Sequence, residues 1–397
     1  MPQERTREMN ALRKTLKTEF ATLSSTLLWN SELDKDILSL LKCRICRSVG
    51  IRSYFVYKAY RYIAWQAREE QIKIREDFPA RLFEVQAPFL AESLITNAYY
   101  HNQILDRKGG VTTAGRINAN LISGNLLRSF IHSYARGIFY NKSDLYEIVF
   151  PRLERIFECV DLAQLMDKNW GSYESFLNGI PADTRLEPKF EQLFQYADLD
   201  ALEQILLDTG LPPAYLPFTR LYLRRGFLAN APLFILLAEI IMDLLGYNGK
   251  MREGLLRFAG NYGLLSQLVN DNIDMISAET GDRKKEDTFS DLINGTISLP
   301  LLLLLSKNPT IDLIKLQKKT KHFPVKVYKV LLPVVVEQCI PITGQFALRL
   351  YDILASDNPE SDLLTDMASL GYKNTYYYTY LEDYEKYGYS SLKKSDF

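Results

Sequence analysis

The chain has 397 residues, 47% hydrophobic and 24% charged, an ordinary globular composition long enough for one large domain or two. Its 48 Lys and Arg balance its 48 Asp and Glu, so no overall charge excess argues for a nucleic-acid partner or for disorder. Four cysteines, Cys43, Cys46, Cys159 and Cys339, are too few for a disulfide framework, and Cys43-x-x-Cys46 has no second pair or nearby His to complete a zinc site.

In chain order, the charged opening MPQERTREMNALRKTLKTEF lacks the apolar core of a signal peptide and reads as a helical N-terminal extension over residues 1–36. From residue 37 onward the periodicity is helical and strand signals are absent. Residues 37–70 read as one or two helices interrupted at Gly50, Phe83–Asp106 as a long apolar helix, 107–115 as a turn-rich loop, and Asn118–Phe139 as helix again. Residues 140–215 carry Pro181, Pro188, Pro212 and Pro213; they read as short helices and connections, a possible insertion. Residues 216–247 and 251–278 read as two strong apolar helices, followed by a polar loop, Ala278–Ser290, and two or three more helices. The longest apolar runs, such as Ala231–Leu245, are broken by Glu239 and Asp243, so no segment is expected to span a membrane, which takes roughly 18–20 apolar residues. The last 26 residues hold eight tyrosines, which suits a packing or subunit surface.

Two polar clusters interrupt the apolar helices. The first is Asn102-Gln103-Ile104-Leu105-Asp106, the second Asn270-Asp271-Asn272-Ile273-Asp274. Each places oxygen-bearing side chains at i, i+1 and i+4, and on a helix i and i+4 share a face. Facing clusters of this kind in a helical bundle can hold hard cations. Of the six positions, only Asp106, Asp271 and Asp274 are charged.

The blocks around these clusters resemble the trans-isoprenyl diphosphate synthase family. The family's second motif, G-x-x-x-Q-x-x-D-D-x-x-D, is matched by Gly263, Gln267, Asp271 and Asp274, with Asn270 in place of the first Asp. A Lys-containing loop follows (Lys284, Lys285), and then D-L-x-x-G-K-x-T-L-P is matched by Asp291, Leu292, Gly295, Ser298, Leu299 and Pro300, with Thr296 in place of the Lys. The first motif and its surroundings are matched by Glu92, His101, Asn102, Gln103 and Asp106, then Arg107-Lys108-Gly109, Ala119 and Gly124. Of the family's early G-K-R-L-R site only Gly50 and Arg52 survive, and the K-T between the two motifs is loosely matched by Arg225-Gly226.

The resemblance implies an all-α, isoprenoid synthase-type helical bundle with a central cavity, here over residues 37–397. It implies magnesium held by the six cluster positions, with Asp106, Asp271 and Asp274 carrying the charge. It also implies an isoprenyl diphosphate gripped by Arg52, Arg107, Lys108, Arg225, Gln267, Lys284 and Lys285. Tyr99 and Tyr100, one turn before the first cluster, would form a floor limiting prenyl chain length, and His101 reads as a satisfied helix residue. The implied reaction is magnesium-assisted departure of diphosphate, which leaves an allylic cation for prenyl transfer. A cytoplasmic homodimer, or a heterodimer with another prenyl synthase chain, is expected.

A full pattern would supply six carboxylates where this chain has three. Each lost charge–charge contact near 4 Å is worth about 4 kcal/mol at an effective dielectric of 20, before desolvation offsets much of it. The leading expectation is a divergent prenyltransferase. One alternative is a non-catalytic family member that regulates an active synthase or binds isoprenoid diphosphate; another is a terpene cyclase.

Overall fold

Helices make up the regular structure of the computed structural model, which describes residues 2–26, 39, 50–105, 113–140, 142–178, 186–275, 289–322 and 324–353. Among these residues there is no strand; an isolated antiparallel bridge pairs Ser172 with Thr296. Cys43, Cys46 and the tyrosine-rich tail lie outside the described residues. The chain divides into two units, Met1–Glu158 with Leu233–Leu256 and Pro359–Leu364, and Cys159–Pro232 with Arg257–Asn358 and Thr365–Phe397.

In the first unit, helix α1 (Pro2–Thr26) buries Met9, Leu12, Leu16 and Phe20, spaced three or four apart along one face. Helix α2 (Ile51–Glu69) starts after Gly50, whose φ of 72° is left-handed and suits glycine. Helix α3 (Ala87–Leu105) follows a π turn at Leu82–Gln86 and packs closely on α4 (Ala114–Ile138), which is capped by the Thr113 side chain accepting from the Arg116 amide. The α3–α4 approach is fixed by Asn97, whose side-chain amide donates to the Gly124 carbonyl at 2.5 Å. Glu92, 1% exposed, accepts from the Ser53 hydroxyl at 2.6 Å and ties α3 to α2.

Helix α5 (Ser143–Asn169) is a single 27-residue helix containing Pro151. The short pieces expected for residues 140–215 begin only after it: α6 (Tyr173–Asn178), α7 (Pro188–Glu191) with a 3-10 turn at Gln192–Tyr196, and α8 (Leu199–Asp208). Of the prolines that suggested breaks, Pro188 and Pro213 open short helical elements, and Pro181 lies outside the described residues.

Helices α9 (Leu216–Leu245) and α10 (Arg252–Asp274) are the two strong helices expected from the sequence. The second unit continues with α11 (Ser290–Asn294), α12 (Leu299–Lys307), α13 (Leu313–His322), α14 (Pro324–Val334), a π turn at Val335–Cys339, and α15 (Ile340–Ile353). Helix α12 buries every residue from Leu299 to Leu305, as a helix apolar all round must.

By length and composition alone two segments, Pro213–Leu245 and Lys326–Leu350, are apolar enough to cross a membrane. Isolated charges such as Glu239 and Asp243 do not break a long helix. Within the protein 78% and 72% of their most apolar windows are buried, as in core helices.

The leader helix is fastened by charge as well as by its apolar stripe. The Glu8 carboxylate pairs with Lys58 at 2.5 Å and Arg61 at 3.3 Å and accepts from the Tyr54 hydroxyl at 2.9 Å; the Lys58 side chain is 0% exposed. Burial alone would raise the Glu8 carboxyl, but the Lys58 bond and charge, with Tyr54 and Arg61, outweigh it and hold the group below its ordinary 4.5. A depressed folded pKa stabilises above the unfolded value and is lost as pH falls through the folded one. Thermal melts should therefore lose stability as pH drops below 4.5, less steeply in Glu8→Gln. Glu8→Ala, which leaves the Lys58 ammonium buried without its partner, should cost on the order of 2 kcal/mol by denaturant titration.

Candidate functional site

The second cluster forms the last turn of α10, and burial divides it. Asn270 is exposed, whereas Asp271 and Asp274 are 1% and 2% exposed. A buried carboxylate must be met by donors or stay costly. Asp271 accepts from the Tyr222 hydroxyl of α9 at 2.5 Å and from the Gln267 side-chain amide, one turn back on α10, at 2.6 Å. Gln267 in turn accepts from Asn230 of α9. Burial pushes the Asp271 carboxyl up, against the lowering effect of the Arg225 charge and of the Tyr222 hydrogen bond. Burial and the neighbouring Asp271 together push the Tyr222 hydroxyl well above its ordinary value.

Asp274 closes a different contact. Its carboxylate accepts from the Ser290 hydroxyl at 2.8 Å and from the Asp291 backbone N–H at 3.2 Å, while its own carbonyl accepts from the Phe289 N–H at 2.7 Å. Phe289 has a left-handed φ of 61°, a strained value for an aromatic residue, and caps α11.

Arg225, expected to meet diphosphate, is 6% exposed and ion-paired with Asp167 of α5. Its guanidinium lies 5.2 Å from the Tyr222 ring centroid. With Trp170, Phe176, Phe218, Tyr222 and Ile297 it lines a small pocket in the second unit. The first unit holds a small, wholly apolar pocket, lined among others by Val56, Leu90, Phe139, Val149 and Leu237.

The described part of the first cluster lies at the C-terminal end of α3. Asn102 and Gln103 are half-buried, and the Gln103 carbonyl accepts from the Asn120 side chain of α4 at 3.2 Å. His101 packs on Gly124 so closely that a Cβ there would lie 2.3 Å from its Nε2. Tyr99 and Tyr100 are half-buried on α3 with ring centroids 6.2 Å apart, and Arg52 is half-buried on the first turn of α2. Asp106, Arg107, Lys108, Lys284 and Lys285 lie outside the described residues.

Among the described residues no group of three or more His, Cys, Asp or Glu side chains is gathered to hold a metal. Asp271 and Asp274 do not fit a divalent cation as placed: both are buried, and each of their four carboxylate oxygens already accepts from a protein donor. The outward-facing member of the cluster is Asn270, which carries no charge. Sequence reasoning did not find Tyr222, Asn230, Asp167 or Ser290. Tyr222 stands three residues before Arg225 and could be placed on the same face of α9; nothing in the sequence marks the other three.

No family model and no curated protein matches the sequence. Solved structures do. The polyprenyl synthase from Caulobacter crescentus, complexed with calcium and isoprenyl diphosphate, is 14% identical, with 93% of this chain and 97% of that one covered at a TM-score of 0.62. The geranylgeranyl pyrophosphate synthase from Corynebacterium glutamicum, complexed with isoprenyl diphosphate and magnesium, is 11% identical, with 92% and 98% covered at 0.63. The farnesyl diphosphate synthase of T. Brucei is 12% identical, with 95% and 99% covered at 0.61. The fold of this chain is that of the trans-isoprenyl diphosphate synthases. At such identities the likeness is one of architecture, and activity has to be argued from the site.

Gly263, which matches the glycine of the second motif, has a packing role here. A Cβ added to it would lie 2.4 Å from Cα of Ala231 on α9, so α9 and α10 touch backbone to backbone. Gly263→Ala should cost about 1–3 kcal/mol by overpacking, read as a fall in the denaturant midpoint.

Proposed function

We propose that the chain is a divergent prenyltransferase that takes an allylic isoprenyl diphosphate. The observation that carries this reading is the synthase fold, shared over 92–93% of the chain with two structures that hold isoprenyl diphosphate. The retained oxygen-bearing side chain at each of the six cluster positions supports it further. With Asp271 and Asp274 committed inside the protein, any magnesium contribution falls on Asp106, Asn102, Gln103 and Asn270. Stabilising the charge of a departing diphosphate falls mainly on cations, for which Arg52, Arg107, Lys108, Lys284 and Lys285 are the candidates. On this reading the protein works in the cytoplasm as a dimer.

A second reading, a non-catalytic chain that regulates an active prenyl diphosphate synthase or binds isoprenoid diphosphate, is favoured by one observation: the carboxylates of the second cluster already hold protein donors. One assay separates the two. The purified protein is incubated with labelled farnesyl diphosphate and isopentenyl diphosphate, with and without magnesium. Pyrophosphate release that falls by roughly 100-fold or more in Asp106→Ala is the expected result. No turnover by the chain alone, together with altered product lengths when it is mixed with an active synthase, would replace the first reading by the second.

A further inference from the structure

We infer that Asp271 and Asp274 are structural staples in this chain, the first joining α10 to α9 and the second joining the end of α10 to the start of α11, and that neither is a metal ligand. Three observations carry this. The donors come from separate elements: Tyr222 and, through Gln267, Asn230 from α9, and Ser290 and Asp291 from α11. Both carboxylates are almost wholly buried, where a carboxylate facing an aqueous ion would need an open side. The exposed position of the same turn holds the neutral Asn270, so the charge that could reach outward is the one that is missing.

The two staples act at different points. Asp271 completes a chain of side-chain hydrogen bonds, Asn230 to Gln267 to Asp271 and Tyr222 to Asp271, beside the glycine contact at Gly263. Asp274 receives three bonds from consecutive residues Phe289, Ser290 and Asp291, through its carbonyl and both carboxylate oxygens. It thereby fixes Phe289–Asp291 against the end of α10. From there the Thr296 amide bonds to the Asp291 carbonyl at 2.8 Å, and the Ile297 amide to the Gly171 carbonyl at 2.8 Å. The order of contacts from Asp274 to α12 is thus set by a carboxylate acting as an acceptor for protein N–H and O–H groups.

This inference is independent of turnover, because a chain that ionises diphosphate through its first cluster and a silent chain both keep it. The test uses the full chain and manganese(II) alone as the metal probe. Bound manganese, counted by its electron paramagnetic resonance signal, should be the same in wild type, Asp271→Asn and Asp274→Asn, whatever its level. Tyr222→Phe and Ser290→Ala, which each remove one donor and keep the carboxylate, should each lower the melting temperature. Tyr222→Phe combined with Asp271→Asn should fall short of the sum of the two single losses. Loss of bound manganese in Asp271→Asn or Asp274→Asn with an unchanged far-ultraviolet spectrum would overturn the inference. So would melting temperatures unmoved by Tyr222→Phe and Ser290→Ala, which decide the matter even if the Asp variants do not fold.

Discussion

A carboxylate removed from water has to be satisfied by the protein around it, and the arrangement of α9, α10 and α11 follows from that demand. Asp271 lies between a phenol and an amide, and Asp274 between a hydroxyl and a backbone N–H. In a low-dielectric interior, removing one donor from such a group costs more than the bond itself contributes, because the remaining charge is left without compensation. The residues that the resemblance implies as metal ligands are thus already acceptors for protein donors.

The fold was readable in the sequence for physical reasons that can be traced. The apolar repeat in 216–247 and 251–278 has helical spacing, and the helices found there, Leu216–Leu245 and Arg252–Asp274, differ from it mainly at their ends. Gly50 was legible as an interruption because its left-handed backbone suits glycine above other residues. The long helix Ser143–Asn169 was not legible, since Pro151 and the proline-rich stretch after it pull a composition-based reading toward short pieces. The site was half legible. Gly263, Gln267, Asp271 and Asp274 could be named from the family resemblance, but a motif does not say whether a carboxylate faces inward or outward. That depends on partners such as Tyr222 and Ser290, which are 49 and 16 residues away in the chain.

Arg225 illustrates the same limit from the cationic side. The family resemblance, through Arg225-Gly226, implies a phosphate partner for it. In the folded chain Asp167 pairs with it and Tyr222 lies against its guanidinium, so its charge is already engaged by groups of the protein. A sequence motif records which groups are present; the charge available to a ligand is what remains after neighbours are counted.

Lys58 gives the N-terminal helix a different standing from that of an appendage. Its ammonium is enclosed within the first unit, and the carboxylate that pairs with it, Glu8, belongs to α1. Shortening the chain from its start would strand a positive charge in the interior and also uncover the positions that Met9, Leu12, Leu16 and Phe20 bury. The boundary of the folding unit therefore lies before Glu8, and a protein trimmed to begin near Gly50 would be a damaged version of this fold, not a minimal one.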